Sequence, residues 1–146
     1  MFKRILLATD GSAASDHAAS LALSLARQSG ATVTALYVVD PYPFLGVGEV
    51  NPLGFDAYMS AARDQAAQAH AQVLKKAVEG GTPVTVQTRM VEDVAVMEGI
   101  LDAIKQSQCD LVVIGSHGRT GLSRLMLGSV AAKVVAHSPV PVLVAR

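Results

Sequence analysis

Two short apolar runs decide the class of fold open to this chain. Ile5-Leu6-Leu7-Ala8 and Leu111-Val112-Val113-Ile114 are continuous, with no polar residue to mark a wet face. Each stops at turn-forming residues, Thr9-Asp10-Gly11 after the first and Gly115 after the second. Strands covered on both faces read this way, and they belong to parallel sheets with helices above and below.

The residues between the runs supply those helices and further strands. Ala14, Ala18, Leu21 and Leu25 recur at helical spacing. They predict a helix capped by Ser12 or Ser15 and stopped at Gly30. Residues 32–39 predict a second strand ending at Asp40-Pro41. Ala62, Ala66, Ala69 and Val73 predict a helix that begins near Asp56 and ends at Gly80-Gly81. In residues 83–91, Val84, Val86 and Met90 alternate with Thr85, Gln87 and Arg89, the pattern of an edge strand with one wet face. Val94, Met97, Leu101 and Ile104 predict a third helix, Gly128-Ser129 opens a fourth, and Val140 to Ala145 form a last strand. Five strands joined by helical crossovers predict an α/β fold, a doubly wound five-stranded parallel sheet with helices on both faces. With the two most apolar runs side by side at the centre, the strand order is 3-2-1-4-5. That order puts a topological switch point between the first and fourth strands, where such sheets bind ligands. Asp10 and Gly115 emerge there.

Composition narrows the partners. The chain has 146 residues, the length of one domain, and 12 basic residues balance 12 acidic ones. Such a chain lacks the bulk charge to grip nucleic acid or an anionic membrane, and no apolar run approaches a membrane span. Hydrophobic residues make up 51%, too many for disorder. The apolar stretch after Lys3-Arg4 is too short for a secretory leader, so a soluble, cytoplasmic protein is expected. Cys109 is the single cysteine, which excludes an intramolecular disulfide, and it is expected as a buried hydrophobe. His17, His70 and His137 fall in helical stretches without metal-ligand spacing and are expected at the solvated surface. The charge is unevenly spread: from Leu111 onward there are Arg119, Arg124, Lys133 and Arg146 and no acid.

That positive end contains the stretch with the most chemistry, Gly115-Ser116-His117-Gly118-Arg119-Thr120-Gly121 followed by Gly128-Ser129-Val130. Glycines directly after a buried strand allow backbone N–H groups to approach a ligand closely. Gly128-Ser129 then opens a helix whose unpaired N–H groups and dipole favour a phosphate. Ser129 adds a hydroxyl, and His117, Arg119 and Arg124 add positive charge. The physical reading is a polyphosphate cradle. It is not a Walker A loop, a Gly-x-Gly-x-x-Gly dinucleotide loop or a Gly-x-Ser-x-Gly nucleophile elbow.

Gly115-x2-Gly118-x9-Gly128-Ser129 resembles the Gly-2x-Gly-9x-Gly-Ser/Thr signature of the ATP-binding branch of the universal stress protein family. Arg4-Ile5-Leu6-Leu7-Ala8-Thr9-Asp10-Gly11-Ser12 is similar to that family's first strand and turn. Asp110 to Gly118 resembles its fourth strand and loop, and Pro139 to Val144 its last strand. The resemblance spans residues 1–146 and implies one Rossmann-like domain that binds adenine nucleotide, a homodimer active in stress physiology. By the same resemblance, Ala8, Thr9 and Asp10 contact the nucleotide and the backbone of Val38 meets adenine. Ile114, Gly115 and Gly118 line base, ribose and phosphates, while Gly128, Ser129 and Val130 hold the polyphosphate. At the third strand-to-helix turn this chain departs from the family, with Val91-Glu92-Asp93-Val94 in place of a Gly-x-Pro-like turn.

Several roles stay open at this level. Asp10 either caps the first helix or serves ribose or Mg²⁺, the ion that ATP normally brings. His117, Arg119 and Arg124 either contact phosphate or are solvated loop charge. Asp40 either caps the second strand or bonds a ribose. Residues 41–55, rich in Pro and Gly, are expected to act as a lid. The apolar last strand, Val140 to Ala145, is expected to pair two copies about a two-fold axis. Two function classes fit: a nucleotide-dependent signalling module, or a slow ATP hydrolase or nucleotidyl-transfer enzyme. No base beyond Asp10 is evident, which favours binding over turnover.

Overall fold

A computed structural model describes residues 1–42, 52–118 and 126–146. The strands are β1 (Arg4–Ala8), β2 (Thr32–Val38), β3 (Val86–Val91), β4 (Leu111–Gly115) and β5 (Val142–Ala145). The helices are α1 (Ala13–Ser29), α2 (Pro52–Glu79), α3 (Val96–Ser107) and α4 (Ser129–His137). The strands form one parallel sheet in the order β3-β2-β1-β4-β5, as the apolar runs require. β1 is the hub: Ile5 stands opposite Val33 on one side and Leu111 on the other.

Alternate residues of the central strands serve opposite layers, because side chains of a strand alternate between faces. Ile5, Leu7, Val33, Ala35 and Val113 pack with α1 and the C-terminal half of α2. Leu6, Ala8, Leu36, Val112 and Ile114 pack with α3 and α4. Ile5, Leu6 and Leu7 are fully buried, each worth about 1.5–3 kcal/mol of transfer free energy.

The helices sit on smaller side chains than their largest aliphatics suggest. The buried face of α1 is Ser15, Ala18, Ala19, Ala22, Leu23 and Ala26, while Leu21 and Leu25 close the core from its flank. The alanines let α1 lie close over the sheet. Ser12, not Ser15, is the cap: its hydroxyl accepts the Ser15 N–H, and Gly30 ends the helix at φ 69°. In α3 the buried face is Gly99, Ile100, Ala103 and Ile104. Val94 precedes the helix, because Asp93 turns the chain at φ 58° and Ala95 remains extended. α2 begins at Pro52, four residues before Asp56, since proline suits a first helical turn. β3 is an edge strand, with Gln87, Thr88 and Met90 exposed. Met90 therefore faces out, and Val91 takes its expected place beside the core.

His17 and His137 are exposed as expected, but His70 is half-buried and stands edge-on to Tyr37, ring centroids 6.4 Å apart. Its Nε2 has no hydrogen-bond partner among the described residues. Burial pushes its pKa below the usual imidazole value, outweighing the nearby backbone of Ala35 and Arg89. Cys109 is buried, and burial pushes its thiol up.

Candidate functional site

The C-terminal ends of β1, β2 and β4 open into one cavity of about 470 Å³, a size suited to a small-molecule ligand. β1 and β4 leave in opposite directions here, β1 into α1 on one face and β4 toward α4 on the other. Parallel sheets concentrate ligand sites at such a point. Ala8, Thr9, Asp10, Val38, Ile114, Gly115, His117, Gly118, Gly128, Ser129 and Val130 all line the cavity, so eleven of the twelve expected ligand contacts come together. The twelfth, Arg119, lies outside the described residues, as do Arg124 and most of the expected lid.

Local packing explains the glycines. A Cβ on Gly128 would stand 2.8 Å from the Ser116 carbonyl oxygen, and the Gly128 N–H donates to that oxygen at 2.7 Å. The start of α4 is thereby pinned to the end of β4. A Cβ on Gly115 would meet the backbone of Ala14 at 2.9 Å, so the first turn of α1 rests against the same strand end. Two helix N-termini thus converge at the switch point. They differ in capping: α1 has Ser12, whereas Gly128 gives α4 no side-chain cap. Among the described residues no side chain caps α4, and a helix N-terminus of this kind favours an anion through its N–H groups and dipole.

The Asp10 carboxylate divides its work. Oδ1 accepts the Ser12 N–H at 2.9 Å, which shapes the turn into α1. Oδ2 lies on the Gly118 side, where an added Cβ would be 3.1 Å away. Among the described residues no cluster of three acidic or histidine side chains surrounds a metal position. A Mg²⁺ ion here would therefore need phosphate oxygens beside Asp10, which is how this ion usually binds nucleotides.

One wall of the cavity was not foreseen. Tyr37 comes from β2, and Tyr58, Ala61, Ala62 and Gln65 come from the N-terminal half of α2. Tyr58 donates its hydroxyl to the Asp40 carbonyl at 2.9 Å, and burial first, then the Asp40 charge, raises its pKa. Tyr42 packs edge-on against both Tyr58 and Phe55. Tyr58, Ala62 and Gln65 are spaced for one helix face, a signal present in the sequence and overshadowed by the alanine stripe. Ser116, quoted in the loop but given no role of its own, places Oγ 2.8 Å from His117 Nδ1, a hydrogen bond whose direction follows the imidazole tautomer. The atypical turn at residues 91–94 is held from α2, where Arg63 Nε bonds Glu92 Oε1 at 3.0 Å.

The family model for the universal stress protein family matches residues 1–146. The chain belongs to the universal stress protein family. A universal stress protein of Methanocaldococcus jannaschii is 36% identical over 146 residues, covering 100% of this chain and 83% of that one. The solved structure of the universal stress protein UspA from Lactobacillus plantarum has a TM-score of 0.80 at 28% identity, covering 99% of this chain and 97% of the other. More distant members share the fold and hold adenine nucleotides. One from Archaeoglobus fulgidus carries dAMP (18% identity, TM-score 0.67, coverage 100% and 98%). Two others carry cAMP and AMP, with TM-scores of 0.62 and 0.64.

Proposed function

We propose that residues 1–146 form a nucleotide-binding domain that holds ATP at the switch-point cavity and acts as a nucleotide-dependent signalling module in stress physiology. The observation that carries this reading is the start of α4, with no side-chain cap among the described residues, in a cavity that is also lined by a group of aliphatic side chains. Leu36, Val38, Val96, Ile100 and Ile114 offer a dry slot for a base, and Gly128, Ser129 and Val130 offer N–H groups for phosphates. Ala8, Thr9 and Gly115 lie between the two ends. Gly118 brings the backbone close to Asp10 and His117 lines the cavity, while Arg119, next in sequence to Gly118, is the cation proposed for the phosphates. The nucleotides held by other members of this fold support the same class of ligand. Mg²⁺, when bound with ATP, neutralises phosphate charge; Asp10 is the side chain that would hold it.

The test is isothermal titration with ATP, ADP and AMP, with and without Mg²⁺. The expected order is ATP tightest in Mg²⁺, with Asp10→Asn weakening Mg-ATP by about tenfold and AMP much less. Gly118→Ala should weaken all three, since its Cβ presses on Asp10 Oδ2. Absence of binding by the unaltered protein would overturn the reading. Release of ADP over hours, abolished by Asp10→Asn, would move the protein to the hydrolase class.

We further propose that two copies pair through β5. It is an edge strand, its residues Val142, Leu143 and Val144 are only partly buried, and the strand carries no charge. An uncovered edge of this kind is a template for a second strand.

A further inference from the structure

Gly99 stands in the first turn of α3, fully inside the core, and its N–H makes the ordinary helical bond to Ala95 at 2.9 Å. Its backbone is not left-handed: among the described residues the positive-φ glycines are Gly11, Gly30 and Gly81. Conformation therefore does not demand a glycine here, and a glycine inside a helix is otherwise a poor choice beside alanine. Space does demand one. A Cβ on Gly99 would stand 2.9 Å from both γ-carbons of Val38 and 3.2 Å from Cγ1 of Val94. Rotation of Val38 would bring its Cβ hydrogen to one of the two positions but leave a γ-carbon at the other, and a β-branched side chain on a strand has few rotamers.

The neighbours of this contact face the ligand cavity. Val38 lines the cavity from the end of β2, and Val96 and Ile100, on either side of Gly99 along α3, line it as well. We infer that Gly99 is a positioning residue for the base end of the cavity: it sets the separation of α3 from β2, and through Val38 the width of the slot. An added methyl either drives Val38 toward the ligand or lifts Val96 and Ile100 away. Either movement spoils the fit to a flat ring at the base end of the cavity. The inference rests on the nucleotide reading above.

The experiment is a double-mutant cycle read by titration with ATP, alongside the unaltered protein. Gly99→Ala should weaken ATP by about tenfold, the scale of one misplaced methyl in a fitted pocket. In a chain that already carries Val38→Ala, Gly99→Ala should have a much smaller effect, because the two closest γ-carbons are gone and the looser contact with Val94 at 3.2 Å remains. Val38→Ile adds a carbon at the same contact without altering α3, and should weaken ATP in the same direction even where Gly99→Ala fails to fold. Methyl spectra of the ligand-free Gly99→Ala protein should show displaced Val38 resonances. Failure of the unaltered protein to bind ATP would remove the nucleotide reading and this inference together. Binding by the unaltered protein with no loss in Gly99→Ala, or an equal loss in both backgrounds, would overturn this inference alone.

Discussion

Asp110 stands at the foot of β4 and accepts the backbone N–H groups of Lys3 at 2.8 Å and Arg4 at 3.0 Å. Desolvation alone would raise its pKa, but these two bonds, together with its own backbone N–H and the Arg4 charge, outweigh it and hold the carboxyl below its usual 3.8. A depressed carboxyl stabilises the fold above the unfolded value and loses that contribution as pH falls through the folded one. His70 acts higher on the scale. Its folded pKa lies below 6.5 because burial disfavours the imidazolium. The unfolded chain then takes up the proton first, so stability is full above 6.5 and declines as pH falls toward the folded value. Denaturation curves at about pH 7.5 and about pH 5 should therefore separate for the unaltered protein and move closer together for His70→Phe. Asp110→Asn should leave that interval unchanged and flatten only the limb below about pH 4. His70 shows why sequence understated it: nothing in its own spacing told that α2 would lay it edge-on to Tyr37.

At the scale of elements, Arg27 ties the end of α1 to the end of α2, beside a Lys76–Asp16 ion pair of 2.9 Å that links the same two helices. Arg27 donates Nε to the Thr82 carbonyl at 3.1 Å and Nη2 to the Lys76 and Ala77 carbonyls at 2.7 and 3.3 Å. The Lys76 and Ala77 carbonyls lie in the last turn of α2, where intrahelical partners run out, so Arg27 acts as a cap supplied by another helix. A Cβ on Gly80 would collide with the guanidinium at 2.7 Å, which gives that glycine its purpose. Arg27→Ala should cost about 1–3 kcal/mol, a fall of about 2–10 °C in Tm, with helix content reduced at the end of α2 by circular dichroism. The elements themselves were legible because apolar runs, caps and glycine stops are local signals. Their facing residues were less so. The expected stripes include Ala18 in α1 and Ile104 in α3, both buried, but otherwise favour side chains such as Leu21, Leu25, Met97 and Leu101, whereas the sheet also takes Ala19, Ala22 and Gly99 for close approach. Bulk marks a buried helix face only when the spacing between layers has room for it.

Across the whole molecule, strand order and site location followed from two apolar runs and one switch point, since topology rules leave few alternatives. The α2 wall of the cavity did not, because it is built from residues remote in sequence from the glycine loop. The two edges of the sheet are unlike. β3 shows Gln87 and Thr88 to solvent, while β5 carries only Val, Leu and Ala. Only β5 has the character of an association surface, and sedimentation at micromolar concentration should give twice the 15.1 kDa chain mass. A monomer at that concentration would exclude pairing through β5. A last consequence concerns light. The chain has no tryptophan and three tyrosines, and two of these, Tyr37 and Tyr58, line the cavity while the third, Tyr42, has its ring centroid 5.3 Å from that of Tyr58. All the tyrosine emission of this protein therefore arises at or beside one cavity. Its intrinsic fluorescence is a label already in place, and an occupant that quenches tyrosine can be followed on the unmodified chain.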